Sequence, residues 1–193
     1  MSISLGTLSL SPLELAQFYT SFANEGVQAE TRLITSIEKD AKNIYQKEDK
    51  TRVITTPTQA YLMTSILKDV VERGTGGKAK VGGLEIAGKT GTTNNNVDGW
   101  FAGFSPSIET IVWFGNDDNT PMFHTETGGT IAAPAFSRFY ASVLKFYPQV
   151  PRKFSVPEGV TTVDVGSQKE NFTDVSKPPR TEAKSDPQQE LLF

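Results

Sequence analysis

The amino-acid sequence predicts an α+β fold in which an antiparallel sheet is flanked by helices. Long segments with helical apolar periodicity alternate with short, strand-like apolar runs. Turns of only a few residues, such as Ser105-Pro106-Ser107, join the runs in the second half of the chain. A parallel pair needs a crossover of about a dozen residues, so these short connections favour antiparallel pairing. The helices are predicted at 12–24, 57–73 and 133–146, and the strands of the sheet at 84–90, 99–104 and 110–114.

Composition places the chain among globular proteins and excludes several classes of function. The 193 residues include 19 Lys and Arg against 22 Asp and Glu, which gives a net charge of −3. This balance argues against a basic nucleic-acid-binding protein and against attraction to an anionic membrane surface. Hydrophobic residues make up 37% of the chain, and together with the 16 glycines this share is sufficient for a core.

The scarcity of cysteine and histidine excludes several kinds of metal site. Cysteine is absent, which excludes disulfides, thiolate nucleophiles and cysteine-ligated zinc or iron–sulfur sites. The single histidine, His124, lies among turn-forming residues without a partner base, so we expect it at the surface. No apolar run approaches the roughly 18 residues of a membrane helix, and the first residues show no signal peptide.

Capping signals explain where the predicted helices begin and end. Ser11 and Glu14 form a capping box, with Pro12 at the first helical position. Thr56-Pro57 repeats this arrangement before the second helix, which Gly74 ends.

A hairpin is predicted near residue 40, and a disordered tail is predicted at the C-terminal end. Residues 32–37 and 43–46 are predicted to pair as a hairpin. From residue 156 onward the chain is rich in proline and charged residues, so 1–155 is predicted to be the folded portion and 156–193 a disordered tail. The final Leu-Leu-Phe at 191–193 is compatible with a frayed terminus or with a short docking motif.

Residues 83–90 match the phosphate-loop pattern G-x-x-x-x-G-K-[ST]. A phosphate loop lies between a hydrophobic strand and a helix, because the helix N-terminus helps to bind the phosphates. The residues before Gly83 form a poor strand, and those after Lys89 are poor helix formers. The context therefore disfavours a nucleotide site, which stays open as an alternative.

An overlapping motif, Lys89-Thr90-Gly91-Thr92, points to different chemistry. A lysine on an edge strand places a cation beside a substrate carboxylate, and threonine hydroxyls can donate hydrogen bonds to that carboxylate. Gly91 allows a ligand to approach the backbone, and the Thr92 N–H can point at a developing oxyanion. K-T-G belongs to the signature of penicillin-binding proteins and class A β-lactamases.

Further segments extend this similarity over residues 5–150. In their order they resemble the C-terminal part of the transpeptidase domain of class A, bifunctional penicillin-binding proteins. The segments that carry the resemblance are 8–16, 22–26, 71–76, 87–94, 98–106 and 126–129.

The resemblance implies a fold, a reaction and a site. The fold is that of penicillin-binding proteins and serine β-lactamases, with a five-stranded antiparallel sheet between helices. The reaction cross-links peptidoglycan stem peptides through an acyl-serine intermediate, and β-lactams acylate the same serine. The resemblance implies that the reaction needs no metal or cofactor. It also implies that Lys89 and Thr92 are catalytic residues. The substrate-binding residues are Lys89, Thr90, Gly91 and Thr92.

The resemblance also implies a location and partners. Such a domain works outside the cytoplasm, on the periplasmic face of the inner membrane, and is preceded by a glycosyltransferase domain. Any membrane attachment is expected through an N-terminal anchor that this sequence does not contain. The implied partners are stem peptides, β-lactams and the N-terminal part of the same transpeptidase domain.

Two of the three motifs that the reaction needs are not found in their expected form. S-x-N is absent from the chain, and the S-x-x-K match at Ser65 to Lys68 lies late in its helix and close to Lys89. We therefore expect the serine nucleophile upstream of this chain, which by itself should be inactive. A chain that lacks neighbouring strands exposes a sheet edge, so self-association is also expected.

The remaining candidates are interpreted as structural. Asp98 and the pair at 117–118 are expected to be solvated residues of turns. The aromatic pairs at 100–101 and 113–114 are expected in the core of the sheet. A non-catalytic interaction module, binding a partner through residues 191–193, is the third alternative.

Overall fold

A computed structural model describes residues 8–178, and its contacts divide the chain into two units at Glu158. The first unit contains three long helices and seven strands among these residues. Helices α2 and α3 have the bounds that the sequence predicts, and α1 ends one residue earlier. The elements are α1 (Pro12–Ala23), β1 (Val27–Ala29), β2 (Ser36–Lys39), β3 (Lys42–Gln46), β4 (Thr51–Val53), α2 (Pro57–Arg73), β5 (Ala87–Thr92), β6 (Asp98–Phe104), β7 (Glu109–Gly115) and α3 (Ala133–Phe146).

Strands β5, β6 and β7 form the central sheet, and both pairings are antiparallel, which confirms the predicted pairing. Lys89 lies opposite Ala102, and Trp100 lies opposite Trp113. In the part of the chain that the structure describes, β5 and β7 are therefore the two outer strands. The resemblance implies five strands, of which this chain contributes three described ones.

Helices pack on both faces of this sheet. Phe101 of β6 is fully buried and contacts Phe136 of α3, with 4.7 Å between the ring centroids. Phe104 joins a second cluster, against which Tyr19 and Phe22 of α1 pack. Side chains alternate along a strand, so residues three positions apart face opposite sides. The core is thus divided by the sheet, with α3 on one face and α1 on the other.

The first strand of the sheet differs from the prediction. Leu84 and Ile86 are buried, as a strand would require, but they lie in a loop that precedes β5. Strand β5 begins at Ala87 and continues to Thr92, so the whole K-T-G-T segment lies within it. Burial of apolar side chains in an irregular loop produced the same sequence pattern as a strand.

Three other differences concern exposed or short elements. The predicted hairpin is present as β2 and β3, with a shifted turn at Asp40 and Ala41, both of which have positive φ. The pair β1–β4 was not predicted, because three-residue strands carry little periodicity. Trp113 and Phe114 are exposed rather than buried, since β7 is an outer strand of the described sheet.

The second unit contains a hairpin in the segment that the composition assigns to a disordered tail. Strands β8 (Thr161–Val165) and β9 (Gln168–Phe172) pair antiparallel across a two-residue turn. Gly166 occupies this turn with a φ of 64°, a conformation that glycine adopts readily. The alternating pattern of β8 was hidden by the charged residues around it. Residues 179–193, including the Leu-Leu-Phe motif, lie outside the described residues.

Candidate active site

The K-T-G-T segment lies on an exposed edge of the central sheet. Strand β5 pairs with β6 along one side, and no second partner strand exists among residues 8–178. An outer strand leaves backbone N–H and C=O groups available to a ligand that lies alongside it. Lys89 and Thr92 are exposed, and Thr90 is half-buried.

Thr90 and Thr92 line an open groove with a volume of about 470 Å³. The groove is formed by three parts of the chain: strand β5, the turn after α2 and the segment that leads into α3. The other lining residues are Gly74, Thr75, Gly77, Lys78, Thr127, Gly129 and Thr130. Its chemistry is therefore that of hydroxyl groups and backbone with nearby ammonium groups, which suits an anionic or carbonyl-rich ligand.

The Thr90 hydroxyl is held between two neighbours. Its Oγ1 lies 2.7 Å from Oγ1 of Thr75 and 3.5 Å from Nζ of Lys89. The Lys89 ammonium also donates a hydrogen bond of 2.8 Å to the carbonyl oxygen of Thr90. The cation is thus placed beside the groove by the strand that carries it.

The Thr92 hydroxyl is held by the backbone of another segment. The N–H of Gly128 donates a hydrogen bond of 3.1 Å to Thr92 Oγ1. Only glycine fits at position 128, because an added Cβ would lie 2.2 Å from the carbonyl oxygen of Trp100 and 2.3 Å from that of Gly91. This close approach brings Gly128 to the face of the sheet and directs its N–H to Thr92.

Gly91 has a packing role in addition to the predicted access for a ligand. A Cβ added at Gly91 would lie 3.2 Å from Cβ of Trp100, its partner on β6. Together with the approach of Gly128, this contact gives a structural reason for glycine. A role of Gly91 in ligand approach stays a prediction.

One side chain anchors the loop that delivers Gly128. Asn96 Nδ2 donates to the backbone carbonyl oxygens of His124 and Glu126, both at 3.0 Å. The backbone carbonyl oxygen of Asn96 accepts the N–H of Met122 at 2.9 Å. His124 itself is exposed on this loop, as expected. The loop position therefore depends on a residue of the turn between β5 and β6.

The Ser65 to Lys68 segment has the contacts of a structural helix segment. Lys68 Nζ donates a hydrogen bond of 2.8 Å to Oε1 of Glu85, and Oε2 of Glu85 accepts the backbone N–H of Phe154 at 2.8 Å. The ammonium thus belongs to an ion pair that ties α2 to two loops. This arrangement does not favour Lys68 as the base for a nucleophilic Ser65.

The phosphate-loop alternative is also not favoured by the geometry. Gly88, Lys89 and Thr90 lie in a paired strand, opposite Gly103, Ala102 and Phe101 in turn, rather than in a loop before a helix. The next element after β5 is a short turn at Asn94–Asn96, followed by β6. A helix N-terminus that could bind phosphates is therefore missing at this motif within the described chain.

The acidic candidates bond within their own surroundings. Asp98 Oδ1 accepts a 2.7 Å hydrogen bond from Nε1 of Trp113, and Asp118 accepts two bonds from Thr120. The bonds from Thr120 hold the pKa of Asp118 below its ordinary value. In residues 8–178 there is no group of three or more His, Asp or Glu side chains that could hold a metal ion.

Seven groove residues were not among the predicted site residues, namely Gly74, Thr75, Gly77, Lys78, Thr127, Gly129 and Thr130. All of them except Gly77 and Lys78 are in a segment where threonine adjoins glycine, 73–76 or 127–130. These segments contribute to the resemblance, but the sequence does not show that they meet β5. The glycine next to threonine was the available signal, since a close backbone approach requires it.

Comparisons with known proteins identify the family of this chain. Residues 1–141 match the family described as the penicillin binding protein transpeptidase domain. Penicillin-binding protein 1A of Neisseria flavescens is 38% identical over 170 residues, which cover 84% of this chain and 21% of that protein. The chain therefore belongs to the penicillin-binding protein transpeptidase family, and it spans about a fifth of the length of the curated relatives it matches.

Solved structures show the same fold. The crystal structure of penicillin-binding protein 1A from Haemophilus influenzae has a TM-score of 0.79 and 22% identity, and the match covers 94% of this chain and 34% of that one. The D,D-transpeptidase domain of a peptidoglycan glycosyltransferase from Eggerthella lenta has a TM-score of 0.57 and 26% identity, with coverage of 72% and 33%. In the described part of the present chain, no helix is long and apolar enough to cross a membrane.

Proposed function

We propose that this chain forms the K-T-G side of a peptidoglycan D,D-transpeptidase site whose serine nucleophile lies in an upstream segment of the same domain. The observation that carries the proposal is the groove along β5, which Thr90 and Thr92 line and in which the Thr90 hydroxyl lies 3.5 Å from the Lys89 ammonium. Membership of the transpeptidase family supports the reaction type.

The two threonine hydroxyls bind the terminal carboxylate of the stem peptide. A hydroxyl group has one hydrogen to donate and two lone pairs to accept. Because the N–H of Gly128 donates to Thr92 Oγ1, the hydrogen of Thr92 stays available for the carboxylate. Hydrogen bonds to an ionised group are stronger than neutral ones, so this recognition favours a substrate with a free C-terminus.

Lys89 and the backbone of Thr92 act on the reacting carbonyl. The upstream serine attacks the D-Ala-D-Ala carbonyl, and the terminal D-Ala leaves with the proton that the serine hydroxyl gives up. The Thr92 N–H donates to the oxyanion that forms, and the Lys89 ammonium lowers the energy of the negative charge around it. An amine of a second stem peptide then attacks the ester carbonyl, an amide bond forms as the ester C–O bond breaks, and the proton that the amine loses restores the serine hydroxyl.

We propose that the reaction takes place outside the cytoplasm. The domain works outside the cytoplasm, where its stem-peptide substrates are, and β-lactams acylate the same serine. The completed site requires the N-terminal part of the transpeptidase domain as partner. The residues described here need no metal or cofactor for their proposed roles.

Acylation by a fluorescent penicillin tests the function. The protein should contain this chain together with its upstream transpeptidase segment, and the adduct should be mapped by peptide mass spectrometry. We expect the adduct on an upstream serine, and we expect Lys89→Ala to slow acylation by about 100-fold. Lys39→Ala, on the exposed strand β2, is the matched control and should react as the unchanged protein does.

Two results would contradict the proposal. An adduct on Ser65 would show that the chain carries its own nucleophile. Normal acylation of the Lys89→Ala protein would show that Lys89 of the K-T-G strand does not take part in the reaction.

A further inference from the structure

One groove residue outside the K-T-G strand contacts the substrate-binding threonine directly. Thr75 follows α2, and its Oγ1 lies 2.7 Å from Oγ1 of Thr90. Thr75 is exposed, so its side chain is not held there by burial in the core. The contact joins the turn after α2 to the edge strand β5.

The backbone around Thr75 is held by hydrogen bonds to helix α2 and by close packing against the segment before α3. The carbonyl oxygen of Val70 accepts the N–H of Gly74 at 3.1 Å and that of Gly76 at 2.9 Å. A Cβ added at Gly129 would lie 3.1 Å from the carbonyl oxygen of Thr75, so the segment before α3 packs closely against this turn. The position of Thr75 is therefore determined by two other elements.

Of the two hydrogen bonds at the Thr90 hydroxyl, the one from Lys89 has a fixed direction, whereas either hydroxyl can donate in the one to Thr75. The Lys89 ammonium, 3.5 Å from Thr90 Oγ1, can only donate. If the Thr75 hydroxyl donates as well, both lone pairs of Thr90 Oγ1 are used. The hydrogen of the Thr90 hydroxyl is then left to donate to an acceptor in the groove.

We propose that Thr75 is a positioning residue, whose hydroxyl donates to Thr90 Oγ1 and directs the Thr90 O–H toward the carboxylate of the acyl donor. The inference rests on the proposed transpeptidase function and adds a residue to carboxylate recognition. It assigns to the Arg73-Gly74-Thr75-Gly76 segment a role in the chemistry of β5.

The test compares a penicillin that has a free carboxylate with its methyl ester. Acylation rate constants are measured for the unchanged protein, Thr75→Val and Thr75→Ser, in the protein that includes the upstream transpeptidase segment. We expect Thr75→Val to react about tenfold more slowly with the free acid and at an unchanged rate with the ester, since one hydrogen bond to a recognition group is misdirected. Thr75→Ser keeps the hydroxyl and should retain the rate.

The ratio of the two rates separates positioning from a structural effect. Both ligands are tested on the same preparation, so a loss of folded protein cancels in the ratio. Thr51→Val, at an exposed threonine of β4 outside the groove, should leave both rates unchanged.

Two outcomes would overturn the inference and differ from each other. Equal losses with acid and ester in Thr75→Val, or no loss at all, would overturn the role of Thr75 and leave the proposed function intact. Failure of the unchanged protein to react with the free acid would overturn the proposed function, and this inference with it.

Discussion

The two outer strands of the central sheet, β5 and β7, both pair with β6 but are built from different residues. β5 consists of small and polar residues, Ala-Gly-Lys-Thr-Gly-Thr, whereas β7 contains Ile111, Val112, Trp113 and Phe114. β-Branched and aromatic residues favour strands, and glycine weakens them. β7 is thus a strand by its own composition, and β5 depends on its surroundings.

The contacts of the two strands agree with this difference. β7 and the turn before it are bonded to helix α3, because the Tyr140 hydroxyl donates to the carbonyl oxygen of Ile108 and accepts from Thr110 at 3.3 Å. The threonines of β5 are bonded to segments that come from elsewhere in the chain, through Thr75 and Gly128. The strand proposed for chemistry is positioned by loops, and the strand without a proposed chemical role forms scaffold.

The largest expected effect is that of Gly128→Ala. The new Cβ would lie 2.2 Å from the carbonyl oxygen of Trp100, and backbone cannot move aside easily. We expect the free energy of unfolding to fall by about 3 kcal/mol and acylation to be strongly reduced. Urea unfolding measures the first effect and penicillin labelling the second.

The control for this change is Gly82→Ala, since a Cβ at Gly82 meets nothing within 4 Å. It should leave both stability and acylation close to their original values. Unchanged acylation in the Gly128→Ala protein would mean that β5 does not need the support of this segment.

A smaller effect is expected for Trp113→Phe on β7. The change removes the 2.7 Å hydrogen bond from the indole to Asp98 and keeps an aromatic ring. We expect a loss of about 1 kcal/mol in the free energy of unfolding, with unchanged acylation by penicillin. A large loss of acylation at constant stability would show that β7 contributes to the site after all.

A pH-dependent effect is expected for Glu109, at the start of β7. Burial raises the pKa of this carboxyl from its ordinary value of 4.5 to about 7, and its Oε1 is buried without a hydrogen-bond partner among the described residues. The folded state therefore binds more protons than the unfolded state between these two pKa values. Stability should fall as pH rises through this range.

Glu109→Gln tests this expectation, because it removes the titration at nearly constant volume. We expect the melting temperature of the variant to decrease less than that of the unchanged protein between pH 4.5 and pH 7. Nearby Tyr19 and Tyr140 have pKa values raised to about 12 by burial, so they stay protonated over this range. Parallel pH profiles for the two proteins would contradict the assignment to Glu109.

The helices were predictable because their signals are local. The capping box of α1 is present, with Glu14 Oε2 accepting the N–H of Ser11 at 2.8 Å, and the backbone N–H of Glu14 donating to the Ser11 hydroxyl at 3.3 Å. Thr56 caps α2 through its bond from the N–H of Gln59. The two residues of each contact are only three positions apart, so both can be recognised in one short segment of the sequence.

The sheet was predictable in its pairing but less so in its boundaries. Ile86 is buried in a loop, and the exposed Trp113 lies on an outer strand, so hydrophobicity misplaced the start of β5 and the surroundings of β7. Whether a side chain is buried depends on elements that are distant in the sequence. The hydrophobicity of the residue does not show which of these elements cover it.

For the candidate site, the sequence by itself determined which residues of β5 are proposed to carry the chemistry, since Lys89, Thr90 and Thr92 lie in one continuous motif. Only the tertiary structure decided that Thr75 and Gly128 hold the two hydroxyls of that motif. The physical reason is sequence separation: these contacts join residues 15 and 36 positions apart, and their geometry exists only once the sheet and the helices have packed.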